Sequence, residues 1–155
     1  MTTAEQNSSD VRVTYLALTS IQGAMTALRQ STGTVEEFGG TVHGPRDMYR
    51  YQTTEELAEV TDDLIGAAFA VAQTYISKNK KIWTPTMTNI NHVANYWKHR
   101  DQWGPTWANA WKDTLAGVQA LGATAPVYAG QVKNLAGACL GADFDADRLW
   151  QAINP

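Results

Sequence analysis

Apolar residues recur at helical spacing along most of the chain, and this pattern predicts a protein built from α-helices. One apolar stripe runs from Val11 to Leu28, and two neighbouring stripes run from Leu57 to Ile76. The alternation of apolar and polar residues that marks a strand is weak and is limited to a candidate hairpin at 33–42. Helices are predicted at about 11–30, 53–79, 87–102, 106–121, 126–140 and 146–153.

Residues that favour helix ends support several of these boundaries. Residues 53–56 form a capping box, in which a threonine and a glutamate side chain satisfy backbone N–H groups of the first turn. Thr84 or Thr86 is expected to cap the next helix, with Pro85 in its first turn, and Asp145 to cap the last helix. The predicted fold class is all-α: a single up-and-down bundle of four to five helices, to which a last short helix docks.

The domain organisation follows from length and local composition. A chain of 155 residues suits one compact domain. Residues 1–9 are predicted to be a disordered tail, residues 10–155 a single helical-bundle domain, and about 31–52 a long irregular loop. Arg46 and Arg50 in this loop are candidates for contacting a phosphate group, although arginines paired with nearby acids explain them more simply.

Charge and cysteine content narrow the classes of function. A formal net charge of −3 and a pI near 5.5 argue against a general binder of nucleic acid or membrane surfaces, but leave a local basic patch open. Cys139 is the single cysteine, so no intrachain disulfide can form, and its Ala-rich surroundings predict a buried structural thiol. No apolar signal segment precedes the domain, and no run reaches the roughly 20 apolar residues of a membrane span. We therefore predict a cytoplasmic protein without a membrane partner.

Residues 89–111 concentrate the candidate chemistry, with two of the three histidines and four of the six tryptophans. His99 is a candidate general acid or base because imidazole titrates near neutral pH, and Asn95, one turn earlier, can orient it. Lys98 and Arg100 can hold a phosphate group or stabilise charge in a phosphoryl transition state. A solvated polar face on an amphipathic helix explains the same residues without a site.

Aromatic and acidic residues offer further candidates, each with a simpler structural explanation. Trp97 and Trp103 can stack a nucleic-acid base, or can be buried where two helices meet. Glu59, Asp62 and Asp63 can act as paired carboxylates, but a solvated face that matches the helix dipole explains them more simply.

Metal and cofactor chemistry finds little support in the sequence. His92 and His99 are seven residues apart and lack a third ligand at suitable spacing, so no metal site is predicted. Glycine-rich nucleotide loops and the HExxH and GxSxG motifs are absent from the sequence, and no cofactor is predicted.

An all-helical domain with an Asn-x-x-Lys-His element late in an amphipathic helix resembles the HEPN-like helical domains of prokaryotic toxins and phage-defence proteins. The resemblance extends over 10–121 as a helical pattern and over Asn95, Lys98 and His99 as a motif. It implies cleavage or binding of RNA or a nucleotide, a catalytic role for His99, and a homodimer that pairs two copies of the site. The family's arginine is missing upstream of His99, where Asn95 stands instead, and Arg100 lies on the other side. Whether the protein is an enzyme is therefore left open.

A second hypothesis belongs to a different class of protein. A non-enzymatic interaction module, such as a small inhibitor or accessory protein, would bind a protein partner through exposed tryptophans and arginines, which dominate interface hot spots. The exposure of four tryptophans discriminates between the two hypotheses: Trp83, Trp103, Trp107 and Trp150. A contiguous aromatic patch would favour the binder, whereas a cleft centred on His99 would favour the ligand site.

Overall fold

A computed structural model of the protein describes residues 2–37 and 54–155, and within these ranges it contains six α-helices and no strand. The helices are α1 (Thr3–Glu37), α2 (Thr54–Asn79), α3 (Pro85–His99), α4 (Lys112–Ala120), α5 (Gln131–Leu140) and α6 (Ala146–Ile153). A 3-10 turn at Arg100–Gln102 follows α3. The all-α class and the helical bundle predicted from the apolar pattern are confirmed.

α2 is the central helix, because it packs against α1, α3, α5 and α6. Of its two predicted apolar stripes, the one formed by Ile65, Phe69, Ala72 and Ile76 is fully buried. The neighbouring stripe is less uniform: Ala68 and Tyr75 are buried, three residues are half-buried, and Val60 near its start is exposed. Buried residues of α3, α5 and α6 complete the core. The fully buried stripe therefore sets how α2 sits in the bundle.

The first helix is longer at both ends than its apolar stripe predicts. Thr2 and Glu5 cap its start reciprocally: Thr2 N donates to Glu5 Oε2 (2.6 Å) and Glu5 N donates to Thr2 Oγ1 (3.1 Å). Most of the predicted tail at 1–9 is therefore helical, and so is the start of the predicted loop, up to Glu37. The rest of that loop, with Arg46 and Arg50, lies outside the described residues, and so does Thr53, the first residue of the predicted capping box.

Two later helices begin further along the chain than predicted, because backbone with positive φ precedes them. Trp107 has a φ of 59°, which is uncommon for a bulky residue, and α4 begins only at Lys112. Gly130 has a φ of 97°, and α5 begins after it.

Two predicted helix caps are confirmed. Thr84 Oγ1 accepts from Met87 N (3.2 Å), and Asp145 Oδ1 accepts from Asp147 N (2.8 Å). Within 2–37 and 54–155, no helix is both long and apolar enough to cross a membrane.

The helices place α3 between the central helix and α4. α3 packs on α2 along one side and on α4 along another, while α1 packs on α2 and α6. Asn79 at the end of α2 donates to Asp10 near the start of α1 (3.3 Å), so these two long helices run antiparallel. The polar residues of α3 therefore lie where α2 and α4 can contribute to the same surface.

Candidate ligand-binding site

A buried glutamine joins three polar residues of α3 into one network. Gln73 of α2 is only 8% exposed, and its Nε2 donates to Asn91 Oδ1 (2.7 Å) and to Asn95 Oδ1 (2.9 Å). Lys98 Nζ donates to Gln73 Oε1 (2.5 Å). The structure thus brings together Asn95 and Lys98, two predicted site residues, and adds Asn91.

The chemistry of Lys98 decides the orientation of every amide in this network. An ammonium group can only donate, so Gln73 turns its Oε1 toward Lys98 and its Nε2 toward the two asparagines. Each asparagine accepts through its Oδ1 and keeps an Nδ2 group that bonds to no other described residue. The network therefore presents donors, namely two amide NH₂ groups and the remaining N–H groups of the ammonium.

Asn91 and Asn95 line an open cavity of about 600 Å³ between α3 and the start of α4. The other lining residues are His92, Trp111, Lys112, Asp113 and Thr114. The last four of these are the residue before α4 and its first three residues, and Trp111 supplies no side-chain cap. Backbone N–H groups at the start of a helix attract anions. The carboxylate of Asp113 repels anions from this site, and the ammonium of Lys112 offsets that repulsion.

Trp111 is the large aromatic side chain at this cavity. Trp111 fits the apolar stripe of the helix predicted at 106–121, yet its side chain is 52% exposed. The reason is that 107–111 is not helical, so its residues do not continue the apolar stripe of α4. An exposed indole plane beside hydrogen-bond donors can stack a flat ring.

The two histidines of α3 contact this surface differently, since His92 lines the cavity and His99 packs against Trp111. The ring of His99 lies 4.5 Å from that of Trp111, with the planes tilted by 49°. The ring of His92 packs against Gly117 of α4 so closely that a Cβ there would overlap it. The Nδ1 atoms of both rings are buried and have no hydrogen-bond partner in the described part of the chain. His99 does not line the cavity itself, so its role there is exerted through Trp111.

The sequence suggested that Arg100 shares a face with Asn95 and Lys98, but the structure places it elsewhere. Its NH2 group pairs with Asp63 Oδ1 (3.1 Å), and its NH1 group donates to the carbonyl of Trp97. α3 ends at His99, so Arg100 already belongs to the 3-10 turn, which carries it away from the helix face. It lines a second cavity of about 280 Å³ together with the carboxylates of Glu55, Glu59, Asp62, Asp63 and Asp101.

The tryptophans named as discriminating residues do not form a shared exposed surface. Trp103 and Trp107 are buried and pack with Tyr96, with ring centroids 5.3 to 5.9 Å apart. Trp103 therefore cannot stack a base, and of the two alternatives given for it the structure confirms burial. Trp83 and Trp150 are half-buried.

Asp62 also differs from its prediction as part of a solvated face. It is buried, and its carboxylate accepts from Gly130 N (2.7 Å) and Lys133 N (3.0 Å), which caps α5 from a different helix. Burial raises the pKa of this carboxyl, and the backbone hydrogen bonds oppose that shift. The sequence gives little sign of this contact because its partners are 68 and 71 residues away.

The single thiol behaves as predicted. Cys139 is buried, and burial raises its pKa to about 12. Among the described residues, no group of three or more histidine, cysteine or acidic side chains is placed to hold a metal ion. No protein-family model, curated protein or solved structure matches this chain.

Proposed function

We propose that the surface between α3 and α4 binds a phosphate group of RNA or of a nucleotide, with the attached base stacked on Trp111. The observation that carries the proposal is the amide network. Because Gln73 occupies the oxygens of Asn91 and Asn95, their free groups are donors, and they stand beside the Lys98 ammonium. A ligand that satisfies only donors carries acceptors, and an oxyanion such as phosphate supplies several at once.

Pre-organisation supports the same proposal. Gln73 is buried, so its hydrogen bonds hold the two asparagine side chains in place before any ligand arrives. The uncapped first turn of α4 adds backbone donors on the opposite side of the cavity. A phosphate between α3 and α4 would therefore meet donors from both helices.

In this proposal His99 positions Trp111, and RNA cleavage by His99 stays a separate prediction. The imidazole contacts the indole and not the cavity. The resemblance to HEPN-like domains, with a toxin or phage-defence context, likewise remains a prediction that rests on Asn95, Lys98 and His99. The contributions proposed for Arg46 and Arg50 remain predictions as well.

The binding proposal is tested with a short fluorescein-labelled single-stranded RNA by anisotropy, and with ATP by calorimetry. Lys98 does not line the cavity, but its ammonium bonds to the same Gln73 side chain as Asn91 and Asn95. Lys98→Ala removes this nearby positive charge, so we expect the dissociation constant to rise about tenfold. Lys81→Ala is the matched control, because Lys81 is an exposed lysine outside the site. Equal affinity of wild type and Lys98→Ala for both ligands would refute the proposal.

The stacking step has its own pair of variants. Trp111→Ala should weaken binding of both ligands by about tenfold, because stacking of one base on an aromatic ring contributes about 1–3 kcal/mol. Tyr128→Ala is the control, since Tyr128 is a comparably exposed aromatic residue at the other cavity. Inorganic phosphate should bind both variants alike, because it has no ring to stack.

Cleavage is followed in the same RNA on denaturing gels, with wild type against His99→Ala. Products that appear with wild type and vanish with His99→Ala would support the catalytic prediction. Intact RNA with both proteins would remove the catalytic prediction and leave binding as the function to test.

A further inference from the structure

The outward face of α1 is an apolar surface that nothing in the described part of the chain covers. Val13 is 64% exposed and Leu16 is 63% exposed. Further along the same face lie Ser20, Gly23 and Ala27, all of them exposed. These five residues recur at spacings of three and four, which is the spacing of a helix-pairing seam. We call them the α1 seam.

Packing among residues 2–37 and 54–155 does not explain the glycine at position 23. A glycine inside a helix costs roughly 1 kcal/mol relative to alanine. A Cβ at Gly23 would meet no described atom within 4 Å, so no described neighbour requires its absence. Its φ is not in the left-handed region either. The glycine is explained if another molecule approaches α1 at this point.

The seam is complementary to itself when a second copy runs in the opposite direction. Its first half carries the large side chains of Val13 and Leu16, and its second half is small. In antiparallel pairing, Val13 would face Gly23 of the second copy, and Leu16 would face Ser20 of the second copy. Large residues then meet small ones in each layer, which allows two helices to approach closely.

The polar groups on this face of α1 are compatible with burial in an antiparallel pair. Ser20 Oγ already donates to Leu16 O (2.8 Å), so covering it would not leave an unsatisfied donor. Arg12 flanks the seam, and antiparallel pairing separates the two Arg12 side chains by about 18 Å at 1.5 Å per residue. Parallel pairing would place these like charges side by side, which disfavours it.

We propose that the protein forms a homodimer through antiparallel pairing of the α1 seams of two copies. This inference rests on the surface of α1 and does not depend on the proposed phosphate site. α1 packs on α2 and α6, whereas the candidate site lies between α3 and α4. The site therefore remains open in both copies, in contrast to the shared site that the HEPN resemblance implies.

The dimer should be weak. The seam spans 15 residues, from Val13 to Ala27. At 1.5 Å per residue it is about 22 Å long and buries roughly 300–400 Å² per copy, which is less than half the area of a standard stable interface. We expect a dissociation constant on the order of 10 µM. Sedimentation of the full chain should therefore show 17.0 kDa at the lowest concentrations and a mass approaching twice that value at several hundred micromolar.

Two variants and one control test the surface. Leu16→Glu should raise the dissociation constant at least tenfold, and Ile82→Glu should leave it unchanged, because Ile82 is also highly exposed but lies off the seam. Gly23→Leu should weaken the dimer at least tenfold while the thermal midpoint of the monomer stays level or rises. A wild type that is monomeric at every concentration, or a Leu16→Glu variant that associates like wild type, would overturn the proposal.

Cross-linking tests the direction of pairing. Leu16→Cys and Ser20→Cys chains, mixed and oxidised, should form a disulfide-linked dimer more readily than either variant alone, because these positions face each other. The native Cys139 is buried and does not compete. Preferential self-linkage of Ser20→Cys would overturn the antiparallel register in which Ser20 faces Leu16.

Discussion

Replacing Gln73 with glutamate would reverse the polarity of the candidate site while keeping the shape of the side chain. The carboxylate can only accept, so Asn91 and Asn95 would have to turn their Nδ2 groups inward and their Oδ1 atoms toward the cavity. Lys98 would still donate to the carboxylate. The surface would then present acceptors where the native protein presents donors.

The size of the effect follows from the contacts that a phosphate would lose. Each hydrogen bond from an amide to a charged oxygen contributes about 1.5–3 kcal/mol, and Gln73→Glu removes two of them. Water recovers part of this loss, so we expect about 3 kcal/mol, which corresponds to a dissociation constant more than a hundredfold higher. Stability should change less, by about 1 kcal/mol, because the buried carboxylate keeps Lys98 and both asparagines as partners.

Calorimetry with inorganic phosphate and with ATP measures the affinity, and urea unfolding measures stability. Gln151→Glu is the matched control, because it makes the same change of charge at an exposed position on α6. A Gln73→Glu variant that folds normally and binds phosphate within twofold of wild type would refute the donor-array reasoning. A Gln151→Glu variant with the same loss would instead point to overall charge.

Two further predictions concern the stability of the bundle. Gly117→Ala should destabilise the protein by about 1–3 kcal/mol, because the added Cβ would overlap the ring of His92. Gly137→Ala should be neutral or stabilising, because the added Cβ would meet its nearest atom at 3.8 Å. Urea unfolding that ranks the two variants in the reverse order would contradict this packing. Burial raises the pKa of Asp62 in the folded protein, so the native state binds this proton more tightly than the unfolded state does. The stability of wild type relative to Asp62→Asn should therefore fall as pH rises from about 3.8 through the raised pKa. A stability difference that is constant or rises over this interval would contradict the raised pKa of Asp62.

The fold class and the centres of most helices could be predicted because they depend on local periodicity. The buried stripe of α2 needs only residues three and four apart, and it is the same in any all-helical packing. The caps at Thr84 and Asp145 are equally local, since each bonds to a backbone group within the next few residues. Asn95 and Lys98 could be placed on one surface for the same reason.

Helix boundaries were predicted less well where tertiary packing outweighs helical periodicity. Trp107 fits the apolar stripe of a helix from 106 to 121, yet it adopts positive φ and packs with Trp103 and Tyr96. Burial of these rings offsets the backbone strain at Trp107. The non-helical segment that results is what leaves Trp111 exposed beside the cavity.

By itself, the sequence determined which residues share a face of one helix, because that depends on a fixed rotation per residue. Only the tertiary structure decided what meets those faces. Gln73 and Asp62 lie on α2, and their partners on α3 and α5 are between 18 and 71 residues away. Local pattern carries no information about such pairs, since they depend on the relative positions of whole helices. The donor character of the candidate site comes from one of these pairs, where Gln73 orients the asparagines of α3.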